Sequence, residues 1–141
     1  MIWFRNYSLE ELNARGRNNI SGLIGIDFTV IGDDYLEARM PVDARTHQPA
    51  GILHGGASIV LAETLGSMAS NMIVDDSKFM GVGLEVNANH LRPVTTGFVT
   101  GTCKALHIGA KTHVWEIRMM TDRGKMNCVS RLTVAIIPVS K

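Results

Sequence analysis

The stretch whose reading decides the fold is Gly55-Gly56-Ala57-Ser58-Ile59-Val60-Leu61-Ala62-Glu63-Thr64-Leu65-Gly66-Ser67-Met68-Ala69-Ser70-Asn71-Met72. Ala57, Leu61, Leu65, Met68 and Met72 recur at helical spacing and make one apolar face. The other side, around Gly56, Ile59, Val60, Glu63, Ser67 and Ser70, is small or apolar except for one carboxylate. A helix with so little charge around its circumference is expected to be wrapped by protein rather than laid on a surface.

The poverty of charge extends beyond the helix. Thr46 to Val74 is 29 residues with a single formal charge, Glu63. At the chain's average frequency that window should hold about five or six. It is not a membrane span, because His47, Gln48, Pro49 and His54 interrupt it and no run of about 18 apolar residues occurs anywhere. The whole chain has 141 residues, one domain's worth, expected to occupy 1–141. Its 14 Lys+Arg against 13 Asp+Glu leave a net charge of +1, too even for nucleic acid or an anionic membrane as partner. Low charge in so short a chain points to surface hidden by self-association.

The start, Met1-Ile2-Trp3-Phe4-Arg5-Asn6, has no cationic segment followed by an apolar one, so no signal peptide is read and a cytoplasmic protein is expected. Cys103 and Cys128 lack C-x-x-C spacing and read as reduced, packed thiols. His47, His54, His90, His107 and His113 have no metal-ligand spacing, and Gly81-Val82-Gly83 lacks the third glycine of a dinucleotide loop. Neither a metal nor a cofactor is expected.

Outward from the long helix the pattern is mostly strand. Ser8-Leu9-Glu10-Glu11 reads as a capping box, with Glu11 reaching back, and predicts a short helix ending near Gly16. Gly25–Val30 and Tyr35–Val42 flank the turn Gly32-Asp33-Asp34. In the second of these, Leu36, Ala38 and Met40 alternate with Glu37 and Arg39. Four more strands are predicted at Phe79–Leu91, Phe98–His107, Lys111–Thr121 and Lys125–Ile137. Their short linkers, Pro93–Gly97, Ile108–Ala110 and Asp122–Gly124, favour antiparallel neighbours. The order α-β-β-α-β-β-β-β predicts an α+β fold, one antiparallel sheet wrapped around one long helix.

Two features of the helix carry chemistry. Gly55 and Gly56 open it, where free amides and the positive end of the dipole suit a developing oxyanion. Glu63 stands alone in an apolar setting, where loss of hydration would prepare it as a base or nucleophile; Ser67, four residues on, can orient it. Eight residues of helix separate Gly55 from Glu63, about 12 Å. A reacting carbonyl must lie about 3 Å from both its attacking group and its oxyanion donors. One straight helix cannot supply both, so a shared site requires two antiparallel helices from two chains.

These residues, with Gln48-Pro49-Ala50-Gly51-Ile52-Leu53-His54, Met40-Pro41-Val42-Asp43, Asn87-Ala88-Asn89-His90 and Leu106-His107, resemble the hotdog-fold acyl-CoA thioesterases over nearly the whole chain. Within that family the likeness is to bacterial enzymes acting on 1,4-dihydroxy-2-naphthoyl-CoA in menaquinone biosynthesis, and to those that clear misloaded aryl carrier protein in enterobactin synthesis. The resemblance implies Glu63 as nucleophile or general base and Gly55 as oxyanion donor. Gln48 and His54 would orient the thioester or water, and Ser67 would support the carboxylate. It further implies a coenzyme A channel lined by Gly83, by His90-Leu91-Arg92-Pro93 and by the turn His107-Ile108-Gly109-Ala110-Lys111-Thr112. Arg92 and Lys111 would meet phosphates there. Coenzyme A would enter as part of the substrate, and the assembly would be a homodimer paired into a homotetramer.

Ala50 departs from the phenylalanine of those relatives, which should reshape the acyl pocket. Other classes of function draw on the same residues. A broad or proofreading thioesterase is one, a hotdog dehydratase using His54 and Glu63 is another, and a non-catalytic acyl-CoA-binding module is a third.

Overall fold

Ser8 starts the first helix, α1 (Leu9–Gly16), by accepting a hydrogen bond from the Glu11 amide at 3.1 Å. The capping box is only half made. Glu11 pairs with Arg5 and Arg15 instead of reaching back, because Arg5, stacked 3.9 Å from the Tyr7 ring centroid, lies within reach of its carboxylate. A short helix that the sequence pattern does not announce, α2 (Ile20–Leu23), follows with Asn19 as its cap. The computed structural model describes residues 1–140.

The remaining elements are β1 (Asp27–Ile31), β2 (Tyr35–Pro41), α3 (Gly55–Ile73), β3 (Phe79–His90), β4 (Phe98–Ile108), β5 (Thr112–Thr121) and β6 (Met126–Pro138). All strand pairs are antiparallel and form one six-stranded sheet in the order β1-β2-β4-β5-β6-β3. The sheet packs around α3, the hotdog arrangement that the resemblance implies. The alternation read from sequence holds: Leu36, Ala38 and Met40 on β2 are completely buried, as are the alternating Trp115, Ile117 and Met119 on β5.

The expectation of antiparallel neighbours holds for β4–β5 and β5–β6 but not for β3–β4. Strand β3 pairs with β6 at the far edge of the sheet. Seven residues, Leu91 to Gly97, join β3 to β4, and an extended chain of that length reaches about 25 Å. Crossing three strand spacings needs only about 15 Å. A short linker limits distance, not pairing.

Small residues let α3 approach the sheet. A β-carbon on Gly66 would come within 2.5 Å of Leu132, and one on Gly101 within 2.8 Å of Leu65. Ser70 then fixes the helix. Its hydroxyl, fully buried, accepts from Trp115 Nε1 at 2.8 Å and lies 3.0 Å from His113 Nδ1. Along the same stripe of α3, Gly81 and Gly83, two residues apart on β3, face Ser70 and Glu63 respectively. The Gly81-Val82-Gly83 run therefore serves close contact between strand and helix.

Candidate active site

The loop before α3 is tied down by backbone hydrogen bonds. His54 N–H donates to the Thr46 carbonyl and Leu53 N–H to the Val94 carbonyl, both at 2.8 Å. His47 Nε2 lies 3.0 Å from the Thr95 carbonyl. These bonds seat the Gln48–His54 loop against the β3–β4 connection, and between them opens a cleft of about 370 Å³. Gln48, Gly55, His90, Leu91, Arg92 and Pro93, all predicted from sequence, line it.

At the helix start the donors sort themselves. Gly56 N–H donates to His54 Nδ1 at 2.8 Å, and Ala57 and Ser58 N–H donate to the His54 carbonyl at 3.0 and 3.4 Å. Among the described residues, Gly55 N–H has no acceptor. It sits beside the cleft with the His90 ring close by: a β-carbon on Gly55 would lie 2.7 Å from His90 Nε2. Because His54 Nδ1 accepts a bond, its proton is on Nε2, which is left to donate. The Gln48 side-chain carbonyl is occupied by the Ala50 amide, leaving the –NH₂ group as a donor. The cleft thus holds the Gly55 N–H and the Gln48 –NH₂ as donors; His54 is exposed and outside its lining, and among the described residues no carboxylate lines it.

Glu63 lies elsewhere. It is exposed, accepts no hydrogen bond among the described residues, and stands directly over Gly83, whose missing side chain leaves room for its carboxylate. The expected loss of hydration is not realised in a single chain. Strand β3 is the last in the sheet, so among the described residues nothing covers Glu63 beyond it. No hydrogen bond joins Ser67 to Glu63 among the described residues. Ser67 instead lines a separate depression of about 280 Å³ with Leu12, Asn13, Arg15 and Met68.

Apart from Gly83, which lies beneath Glu63, the predicted coenzyme A residues fall into two groups. His90 to Pro93 border the cleft at the start of α3. Ile108, Gly109 and Ala110 line a cavity of about 470 Å³ near the helix end, with Ile73 and His113. Gly109 N–H closes the hairpin on the Thr112 carbonyl at 2.9 Å, and the His107 ring lies against Gly109. Arg92 and Lys111 are exposed and form no salt bridge among the described residues. Eighteen residues separate Gly55 from Ile73, about 27 Å along the axis, so one chain does not unite the groups.

Sequence reasoning did not single out Ser58 and Asn127, two buried polar residues of the cleft. Ser58 follows Gly55-Gly56-Ala57, a place in the first turn that could have drawn notice. Nothing in the strand pattern marks Asn127.

The model of the thioesterase superfamily matches residues 50–128, which include Gly55, Glu63 and the cleft's strand residues. The chain is 52% identical to 1,4-dihydroxy-2-naphthoyl-CoA hydrolase of Escherichia coli (strain K12) over 137 residues, 97% of this chain and 100% of that protein. The chain belongs to the thioesterase superfamily. Solved thioesterases share the fold closely. A mutant thioesterase of Pseudomonas aeruginosa superposes with a TM-score of 0.97 at 54% identity, covering 99% of this chain and all of that one. A thioesterase of Haemophilus influenzae superposes with a TM-score of 0.96 at 43% identity, covering 100% and 98%. This thioesterase is therefore a thioester hydrolase of the hotdog fold. None of its described helices is long and apolar enough to cross a membrane.

Proposed function

We propose that the protein hydrolyses aromatic acyl-CoA thioesters, such as 1,4-dihydroxy-2-naphthoyl-CoA on the way to menaquinone, in a site built from two copies of the chain. The observation that carries this reading is the division of labour around α3. The cleft at its start offers an uncommitted Gly55 N–H and no carboxylate, while Glu63 stands open two turns away. A second, antiparallel α3 brings Glu63 of one chain to the Gly55 cleft of the other. It also brings the Ile108–Ala110 cavity toward His90–Pro93, joining the two coenzyme A groups.

The edge of the sheet supports such pairing. Strand β3 is 12 residues long, is hydrogen-bonded on one side only, and exposes Phe79, Met80, Val82 and Leu84. An apolar open edge is a template for another strand. Two β3 strands side by side would continue the sheet and cover Glu63. We take the homodimer as the active unit and, from the family likeness, a dimer of dimers as the full assembly.

In this arrangement Gly55 N–H, at the positive end of α3, holds the thioester oxygen as it gains charge. His54 Nε2–H and the Gln48 –NH₂ steady the thioester or a water. Glu63 attacks the carbonyl carbon directly, giving a mixed anhydride that water then opens, or takes a proton from an attacking water. Either way the carbon–sulfur bond breaks and the electron pair leaves with the coenzyme A thiolate. The good leaving group makes a Ser-His-Asp triad unnecessary. Ala50, exposed at the tip of the cleft loop, favours a second reading, a broader or proofreading specificity that extends to carrier-protein thioesters.

The test is Glu63→Gln, assayed by released thiol. The expected result is a folded protein that has lost most of its turnover on naphthoyl-, benzoyl- and decanoyl-CoA. Turnover at the wild-type rate overturns the assignment of Glu63.

A further inference from the structure

The end of α3 borders a cavity that the chemistry at Gly55 and Glu63 does not use. It measures about 470 Å³ and lies between the N-terminal segment, the α3–β3 connection and the β4–β5 hairpin. Phe4 and Phe79 enter its wall from different elements, and both are open to solvent, at 55% and 41% exposure. Ile73, Val74, Ile108 and Ile136 add further apolar wall. Backbone hydrogen bonds fix this frame. Phe4 N–H donates to the Met72 carbonyl at 2.8 Å, Phe79 N–H to the Asp75 carbonyl at 2.9 Å, and Ile136 N–H to the Lys111 carbonyl at 2.8 Å. The hollow is thus preformed, as small-molecule sites mostly are.

Its charges point to one kind of occupant. Asp75 and Lys78, both in the wall, pair with each other at 3.2 Å, so the hollow carries no net charge from them. Lys111, next to Ala110 on the hairpin, is exposed and forms no salt bridge among the described residues. A neutral, apolar hollow with two rings in its wall and a free cation beside it suits a flat base attached to phosphates. Distance then decides which base. Where Glu63 of one α3 stands beside Gly55 of the other, Ile73 of the first lies ten residues further on, about 15 Å past the reacting carbonyl. It lies beyond the start of the other helix, on the side where His90 to Pro93 border the cleft. The pantetheine arm of coenzyme A has about as many backbone bonds as four extended residues, about 14 Å from sulfur to phosphate. A thioester held at Gly55 therefore carries its phosphates to the end of the other chain's α3, where this cavity opens.

We propose that the cavity binds the adenine of coenzyme A, with Phe4 and Phe79 in its wall, and that it belongs to the chain that supplies Glu63. This rests on the two-chain acyl-CoA site above and deepens it.

The experiment compares acyl-CoA with the matching acyl-4′-phosphopantetheine, which lacks the nucleotide, using benzoyl and decanoyl groups and following released thiol. The wild type is expected to show a KM about fivefold or more lower for acyl-CoA, the contribution of one stacked base. Phe4→Ala should raise KM for acyl-CoA by about fivefold with kcat unchanged, and should leave turnover of the phosphopantetheine thioester within twofold. A merely structural Phe4 would lower Tm and affect both thioesters together, which overturns the inference. Phe4→Leu, apolar but without the ring, repeats the measurement if the alanine variant does not fold, and failure of both to fold also overturns it. In a mixed dimer of Glu63→Ala and Gly55→Leu chains, the one whole site takes Glu63 from the Gly55→Leu chain. Phe4→Ala should raise KM when placed on that chain and not when placed on the other, and equal effects from both placements overturn the inference. A wild type with one KM for both thioesters, or a folded Phe4→Ala with unchanged KM for acyl-CoA, overturns it while leaving the thioesterase reading intact. A wild type that cleaves neither acyl-CoA overturns the acyl-CoA reading, and this inference falls with it.

Discussion

Gly83 lies directly beneath Glu63: a β-carbon there would collide with the carboxylate oxygen Oε1. The strand that closes the sheet thus leaves a one-side-chain gap at the residue proposed to do the chemistry. Just after it, the β3–β6 pairing shifts register between Gly83 and Glu85, turning Leu84 out to 63% exposure.

Gly83→Ala should therefore displace the Glu63 carboxylate without unfolding the protein. Misplacing a catalytic group by about 1 Å can cost on the order of 100-fold, and a loss of that size in kcat/KM is expected. Gly81→Ala is the control, because its β-carbon would press on Val134 and Ser70 at 3.0 and 3.1 Å rather than on Glu63. It should lower Tm more than activity. If thiol release by Gly83→Ala stays within twofold of the wild type, the gap has no bearing on Glu63.

Much of this was legible in the sequence, and the rest was hidden for definable reasons. Leu36, Ala38 and Met40, or Trp115, Ile117 and Met119, state their buried faces by alternation, and Gly55 to Met72 states a helix by its spacing. The edge position of β3 could not be read, because linker length limits how far a chain travels and not which strand it joins. Asn127, the extra residue of a bulge between β5 and β6, escaped because a bulge breaks the two-residue period on which strand reading depends. The exposure of Glu63 escaped for another reason: charge counts show which residue stands alone but not where the sheet ends. Gln48, Gly55 and His90 to Pro93 came together as the motif suggested. Ile108 to Ala110 did not: they line a separate cavity beside Ile73, at the far end of α3.

Ser70 supports two buried donors or acceptors at once, Trp115 Nε1 and His113 Nδ1. Ser70→Ala removes both partnerships while deleting a single oxygen. A buried polar group left unpaired costs about 1–3 kcal/mol, so denaturant unfolding should show a loss in that range or above. Trp115→Phe in the same background should recover part of it by removing the stranded N–H. A Ser70→Ala protein as stable as the wild type would show that neither bond matters.

His113 also makes stability depend on pH. Burial, reinforced by nearby His107, holds its pKa below the ordinary value of 6.5, against an opposing hydrogen bond with the Gly109 backbone. Between the folded pKa and 6.5 the unfolded chain binds the proton and the folded one does not, so this stability is present above 6.5 and lost as pH falls. The slope from one such group is at most about 1.4 kcal/mol per pH unit. Urea unfolding at pH 7.5 and 5.5 should show a larger drop for the wild type than for His113→Gln. Equal drops would remove His113 as the source.

Complementation tests the two-chain site most directly. Glu63→Ala leaves the Gly55 cleft intact, and Gly55→Leu leaves Glu63 intact while pressing its side chain onto His90. Each variant alone has two broken sites in a homodimer. A mixed dimer has one site in which both defects meet and one in which neither does. Unfolding and refolding an equal mixture should make about half of all dimers mixed, each with one of its two sites whole. About a quarter of wild-type activity should return, against near zero for either parent. Differently tagged chains, purified in tandem, isolate the mixed species, where recovery should approach half. Tandem-purified mixed dimers as inactive as their parents would mean that Gly55 and Glu63 do not serve one site across two chains.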